Sequence, residues 1–218
     1  MAKEYRDLIV GLDIGTSKIM SVVAEVQSDS TLKVLGLGVA SSSGMKRGVV
    51  VNIEACVQSI QQAIREAELM AACKITRVIT GITGSHIRGR NSVGMVAVRD
   101  REVTPADVAK VLETARAINI STDQRPLLVE PQEFIIDGQE VKEPIGMSGI
   151  RLESKVHIVT CAQSAAENII KCVRRCGLEV DHLMLNPLAS SLATLTEDER
   201  ELGVVLVDIG AGTTDIAV

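Results

Sequence analysis

The chain has 218 residues, a net charge of −5 and 46% hydrophobic residues, values that fit a globular protein of one large or two small domains. Aromatic residues make up only 1% of the chain, so platforms for base stacking are scarce, and no excess of basic residues compensates. We therefore expect no nucleic-acid partner. The opening MAKEYRD is too polar for a secretion signal, and five cysteines without a C-x-x-C pair fit a reducing cytoplasm.

The first part of the chain predicts three strands, a helix and a fourth strand. The predicted strands cover residues 8–13, 18–26, 32–40 and 77–83. Gly36 and Gly38 indicate a bend or bulge in the third strand. Apolar residues at helical spacing predict a helix that begins near Asn52, whose side chain can cap it.

Residues 86–155 have a different character and predict a small α+β insertion with its own core. A helix should begin at Thr104 and Pro105, with Asp107 helping to cap it. Residues 125–137 predict a pair of strands separated by Pro131. Four arginines of the insertion could bind an acidic partner or form a solvated strand face: Arg88, Arg90, Arg99 and Arg101.

The α/β pattern then resumes. The predicted elements are a strand at 155–162, a helix at 164–177, a strand at 178–186, a short helix at 187–195 and an acidic turn at 196–203. The last predicted element is a hairpin at residues 203–218, with the sequence GVVLVDIGAGTTDIAV. It repeats the Asp-Ile-Gly pattern of the first hairpin, LIVGLDIGTSKIMSVVA, at residues 8–24.

Each of these hairpins delivers an aspartate to a turn suited to phosphate. The first turn offers close backbone approach, hydroxyls and a positive charge through Gly15, Thr16, Ser17 and Lys18. The second turn offers the corresponding groups through Gly210, Gly212, Thr213 and Thr214. Because carboxylates repel phosphate, Asp13 and Asp208 indicate a divalent cation, Mg²⁺, held largely through water.

One such hairpin alone is more typical of an ordinary β-hairpin with a glycine turn than of a phosphate site. The recurrence of the pattern, with the two aspartates 195 positions apart (208 − 13), instead indicates a duplicated fold that binds a di- or triphosphate between its two turns.

The paired phosphate turns are similar to those of the actin, heat-shock-70 and sugar-kinase superfamily. Four segments make the resemblance specific to one family within this superfamily: GMKRGVVVNIEACVQSIQQAIREAELMAACKI, TGITGSHI, EVTPADVAKVLETA and RLESKVHIVTC. Over essentially the whole chain, they resemble the FtsA family of actin-like bacterial cell-division proteins.

The resemblance implies a mixed α/β fold, an actin/Hsp70-like (ribonuclease-H-like) ATPase lobe with an inserted SHS2-type subdomain. Residues 1–83 and 163–202 would form the discontinuous first lobe, called 1A. Residues 84–162 would form the inserted 1C subdomain, and 203–218 the first hairpin of the second lobe.

The resemblance also implies a function. Members of the family bind ATP with Mg²⁺, polymerise, bind the tail of the tubulin-like ring protein FtsZ and recruit later divisome proteins through 1C. They work on the cytoplasmic face of the inner membrane at the septum, held there by a C-terminal amphipathic helix. Asn186 falls where superfamily hydrolases position the attacking water. Because its amide is shorter than that of glutamine, we expect at most slow ATP hydrolysis.

The likeness ends at Val218, just inside the second lobe, which predicts an N-terminal fragment without the family's adenosine-binding, FtsZ-tail and membrane segments. We expect this stretch alone to bind ATP weakly. Two alternatives are a superfamily ATPase or phosphotransferase, and an actin-like scaffold of pilus or secretion assembly. Turnover rate and the downstream sequence would discriminate them.

Overall fold

The computed structural model describes residues 8–218, so the opening segment that we interpret as too polar for a secretion signal lies outside the described residues. In chain order the elements are β1 (Leu8–Ile14), β2 (Lys18–Val26), β3 (Leu32–Ser41), β4 (Met45–Lys46), β5 (Val49–Val50), α1 (Ile53–Ala71), β6 (Arg77–Ile82), β7 (Arg88–Ala97), α2 (Pro105–Arg116), β8 (Gln124–Ile136), β9 (Gln139–Val141), β10 (Arg151–Ala162), α3 (Gln163–Arg175), β11 (Glu179–Leu185), α4 (Asn186–Thr194), α5 (Glu197–Leu202), β12 (Leu206–Ile209) and β13 (Thr214–Ala217).

These elements divide into two compact units. One contains the residues up to His86 together with Ser164–Val218, and the other is Ile87–Gln163. Within the described range 8–218, no helix is both long and apolar enough to cross a membrane.

The larger unit is built on a five-stranded sheet with the strand order β11-β6-β1-β2-β3. Strands β1, β2 and β3 pair antiparallel, whereas β6 runs parallel to β1 and β11 runs parallel to β6. The predicted three strands, helix and strand are present, and the short strands β4 and β5, which were not predicted, precede the helix. Because the first turn joins β1 to β2, it lies at one end of two central strands.

Helix α1 packs very closely on β3, and glycine makes this possible. The helix begins after Asn52, whose Oδ1 accepts from the Ala55 N–H at 3.1 Å, as predicted. A Cβ added at Gly38 would lie 1.9 Å from the Ala63 carbonyl oxygen, and one at Gly36 would lie 2.7 Å from that of Ala67. The predicted irregularity is present, since the β2–β3 register shifts opposite Gly36. The two glycines therefore also provide room for the helix.

The smaller unit is a four-stranded antiparallel sheet, order β7-β10-β8-β9, with helix α2 against it. The helix begins at the predicted capping box, in which Thr104 and Asp107 exchange hydrogen bonds. An aliphatic cluster forms the core of this unit: Val96, Val98, Val103, Val111, Ile136 and Leu152.

Two local predictions are wrong. Residues 125–136 belong to a single strand, β8, because Pro131 sits where the register against β10 shifts between Lys155 and Val156, and the bulge accommodates the proline. The acidic turn at 196–203 contains a short helix, α5, whose Thr196 and Glu199 form a capping box. Three acidic residues in its first turn favour the helix through its dipole.

Candidate functional site

Both glycine turns open into one cleft of about 710 Å³ within the larger unit. Besides the turns, the cleft is lined by the ends of β6 and β11 and by one face of α4. The sequence-predicted residues that line it are Asp13, Gly15, Thr16, Ser17, Lys18, Asn186, Asp208, Gly210, Gly212 and Thr213. The chain thus brings together groups that lie up to 200 positions apart (213 − 13).

The two turns repeat each other in their hydrogen bonds. The Gly15 N–H donates to the Lys18 carbonyl at 3.1 Å, and the Gly210 N–H donates to the Thr213 carbonyl at 2.9 Å. The flanking pairs also correspond, since Ile14 pairs with Ile19 just as Ile209 pairs with Thr214. The recurrence of sequence is therefore a recurrence of backbone geometry.

Glycine is required in the first turn and at the meeting of the two turns. A Cβ at Gly15 would lie 2.7 Å from the Lys18 carbonyl oxygen, closer than side-chain carbons come to backbone oxygen. A Cβ at Gly212 would lie 2.5 Å from Thr16 Oγ1. The second turn therefore packs directly on the first, and their backbone N–H groups border the same space.

Negative charge accumulates in the cleft. Burial and the nearby Asp208 carboxylate raise the pKa of Asp13, and Lys18 and the Asn186 amide oppose this only in part. Asp208 in turn faces Asp215 as a cross-strand pair, an arrangement that is unfavourable for like charges. A cation bound between these carboxylates would relieve both costs.

Two residues of α4 hold the aspartates in place. Asn186 Nδ2 donates to Asp13 Oδ1 at 3.4 Å, and Ser190 Oγ donates to Asp208 Oδ2 at 2.7 Å. Asn186 and Ser190 are four positions apart, so they lie on the same face of the helix. Asn186 is itself fixed against Gly81, where an added Cβ would lie 2.0 Å from the amide Oδ1.

The donor set suits Mg²⁺ better than metals that need several protein ligands. Among residues 8–218, no group of three or more His, Cys, Asp or Glu side chains is arranged to hold a metal ion. Magnesium usually takes one or two carboxylates and completes its octahedral shell with water and phosphate oxygens. Asp13 and Asp208 could supply such carboxylates, and backbone N–H groups of the two turns could donate to phosphate oxygens.

The sequence analysis differs from the structure in a few positions of the site. Thr214 does not line the cleft, because successive side chains of a strand point to opposite faces and its neighbours Thr213 and Asp215 face the cleft. Ser190, Gly48 and Asp215 do line it and were not predicted. For Ser190, the spacing of four from Asn186 was a usable signal. Gly48 could not be found this way, because it reaches the cleft only through folding.

Comparison with known proteins shows what the chain is similar to. A family model described as the SHS2 domain inserted in FtsA matches residues 84–160. The chain is 61% identical over 212 residues to the cell division protein FtsA of Pseudomonas aeruginosa, an alignment that covers 97% of the chain and 51% of that protein. It is 56% identical over 219 residues to FtsA of Neisseria meningitidis, covering 100% of the chain and 53% of the relative. The chain is therefore similar to FtsA proteins over nearly its whole length. It spans about half the length of the curated FtsA proteins that it matches.

A solved structure supports the same fold. The PilM-PilN type IV pilus biogenesis complex matches with a TM-score of 0.65 at 18% identity, covering 97% of the chain and 57% of that protein. The mixed α/β, actin-like architecture with an SHS2 insertion is thereby confirmed.

Proposed function

We propose that this chain binds ATP together with Mg²⁺ in the cleft between the two glycine turns. The observation that carries the proposal is the pair of matching turns, each preceded by an aspartate, that meet at Thr16 and Gly212. Backbone N–H groups and Lys18 would bind the phosphates, while Asp13 and Asp208 would hold the water shell of Mg²⁺. The metal would neutralise the two carboxylates and the phosphate tail.

Calorimetric titration of Mg-ATP into the protein made from its complete coding sequence tests this proposal. We expect a dissociation constant near or below about 10 μM, or about −7 kcal/mol. Chelation of Mg²⁺ with EDTA should weaken binding strongly, because the carboxylates then face the phosphates directly. Absence of any heat with millimolar Mg-ATP would contradict the proposal.

We further propose that the nucleotide serves assembly and that the protein is a cell-division scaffold. The support is the high identity to FtsA proteins over nearly the whole chain. On this proposal the protein self-associates into filaments, binds FtsZ and recruits later divisome proteins through the insertion at 84–162. It would act on the cytoplasmic face of the inner membrane at the septum, reaching the membrane through an amphipathic helix.

The proposed domain assignment follows the same pattern. Residues 1–83 and 163–202 would be the first lobe, and 203–218 the first hairpin of the second.

Arg88 and Arg90 lie exposed on β7. If they contact a neighbouring copy in a filament, reversal of both to glutamate should weaken self-association. Unchanged sedimentation of that variant would favour the alternative of a solvated strand face.

Slow turnover distinguishes a scaffold from an enzyme of the same superfamily. The Asn186 amide lies against Asp13, near where an attacking water would sit, but its reach is short. Hydrolysis slower than filament assembly would support the scaffold, and rapid turnover would favour the ATPase alternative.

A test in the host addresses the biological role. Depletion of the protein should block septation and give long, undivided cells. Normal septa after complete depletion would overturn the cell-division proposal while leaving nucleotide binding open.

A further inference from the structure

A two-residue turn between β4 and β5 has an unusual backbone for its sequence. Met45 pairs with Val50 and Lys46 with Val49, which leaves Arg47 and Gly48 at the corner. Arg47 has a φ of +49° and Gly48 a φ of +75°. A hairpin with two left-handed corner residues normally carries asparagine or glycine at the first corner. Arginine in this position is strained, and strained residues concentrate at functional sites.

This corner touches both glycine turns of the cleft. The Gly48 N–H donates to Thr16 Oγ1 at 3.2 Å, which fixes the hydroxyl of the first turn. On the other side, a Cβ at Gly212 would lie 3.0 Å from the Arg47 Cα. Gly48 also packs on the end of β6, where an added Cβ would come within 2.8 Å of the Thr83 carbonyl oxygen. The corner is therefore held at the point where the two turns meet.

The charges of the cleft call for another cation. Among the described residues that line it, the charged side chains are three aspartates and one lysine: Asp13, Asp208, Asp215 and Lys18. A magnesium polyphosphate keeps a net negative charge, and a lining with more carboxylates than cations repels it. Arg47 has its backbone against Gly212, and within residues 8–218 none of the ion pairs involves its guanidinium.

We propose that the Arg47–Gly48 corner is a third phosphate-binding element of the cleft. This inference rests on the proposed nucleotide function. The Gly48 N–H holds Thr16 in place, and Arg47 supplies the second cation for the polyphosphate. A guanidinium suits this task because its planar set of donors matches phosphate oxygens. The left-handed backbone at Arg47 keeps the base of the side chain beside the second turn.

The test compares Mg-ATP affinity among four variants of the protein made from its complete coding sequence. Arg47→Ala should weaken binding about tenfold, the usual effect of one charge-assisted hydrogen bond. Arg47→Lys keeps the charge and should recover part of the affinity. Lys46→Ala removes a neighbouring charge from the same hairpin and should leave the affinity within about twofold, as expected for an exposed charge.

Arg47→Gly separates binding from folding. Glycine suits a positive φ, so this variant should be at least as heat-stable as the unmutated protein without nucleotide, yet bind Mg-ATP as weakly as Arg47→Ala. Normal affinity in Arg47→Gly and Arg47→Ala, with normal binding by the unmutated protein, would overturn this inference alone. No binding by the unmutated protein would overturn the nucleotide proposal and this inference with it.

Discussion

Replacement of Ser190 by alanine should weaken the binding of Mg-ATP while leaving the fold intact. Ser190 Oγ donates to Asp208 Oδ2 at 2.7 Å and so fixes the carboxylate that we expect to face Mg²⁺. A hydrogen bond to a charged group is worth about 1.5–3 kcal/mol. Because Asp208 is only half-buried, water replaces part of that energy. We therefore expect a loss of about 1–1.4 kcal/mol, or about five- to tenfold in affinity.

Ser191→Ala is the matched control. Ser191 follows on the same helix, but its hydroxyl donates to the Leu188 carbonyl at 2.8 Å and not to a side chain of the cleft. Calorimetric titration of both variants with Mg-ATP should show weaker binding only for Ser190→Ala. With ATP and EDTA the two variants should behave alike, since the carboxylate then has no metal to position. Equal Mg-ATP affinity for the two variants would refute this role of Asp208 and Ser190.

Two other predictions concern the charge in the cleft and the packing of α1. Asp13→Asn should stabilise the nucleotide-free protein at neutral pH and greatly weaken Mg-ATP binding, because the raised pKa of Asp13 means that its ionised form is unfavourable in the fold. The gain should be absent below the unfolded pKa near 3.8, should grow between that pKa and the raised folded pKa, and should level off at higher pH; a gain independent of pH in thermal unfolding would count against this cause. Gly38→Ala should destabilise by about 3 kcal/mol, because the new carbon would overlap the α1 backbone. Gly11→Ala, where nothing lies within 4 Å, should change the urea midpoint little, and equal midpoints for the two variants would contradict the packing argument.

The parts of the fold set by local patterns could be predicted from the sequence. The start of α1 at Asn52 and the capping box at Thr104 depend on residues within one helical turn. The two glycine turns were predictable for the same reason, since each is a short segment whose Asp-Ile-Gly sequence favours a hairpin. Recurrence then indicated that the hairpins act together.

Contacts between distant segments could not be predicted in this way. The bond from Gly48 to Thr16 joins residues 32 positions apart, and only the folded hairpin brings them together. Pro131 was over-weighted as a strand breaker, because the bulge that accommodates it depends on the register against β10. The helix at Glu197–Leu202, in contrast, depends on a local pattern and could have been predicted. Its capping box of Thr196 and Glu199 stands in the sequence and favours a helix more strongly than the acidic residues favour a turn.

A crystal structure of the protein grown with Mg²⁺ and a non-hydrolysable ATP analogue would test the central claim most directly. We predict the phosphate tail between the turn at Gly15 and the turn at Gly210, with backbone N–H groups of both within hydrogen-bonding distance. Mg²⁺ should lie within reach of Asp13 and Asp208, directly or through one water. An analogue bound elsewhere, or a cleft without nucleotide at saturating concentration, would contradict the account.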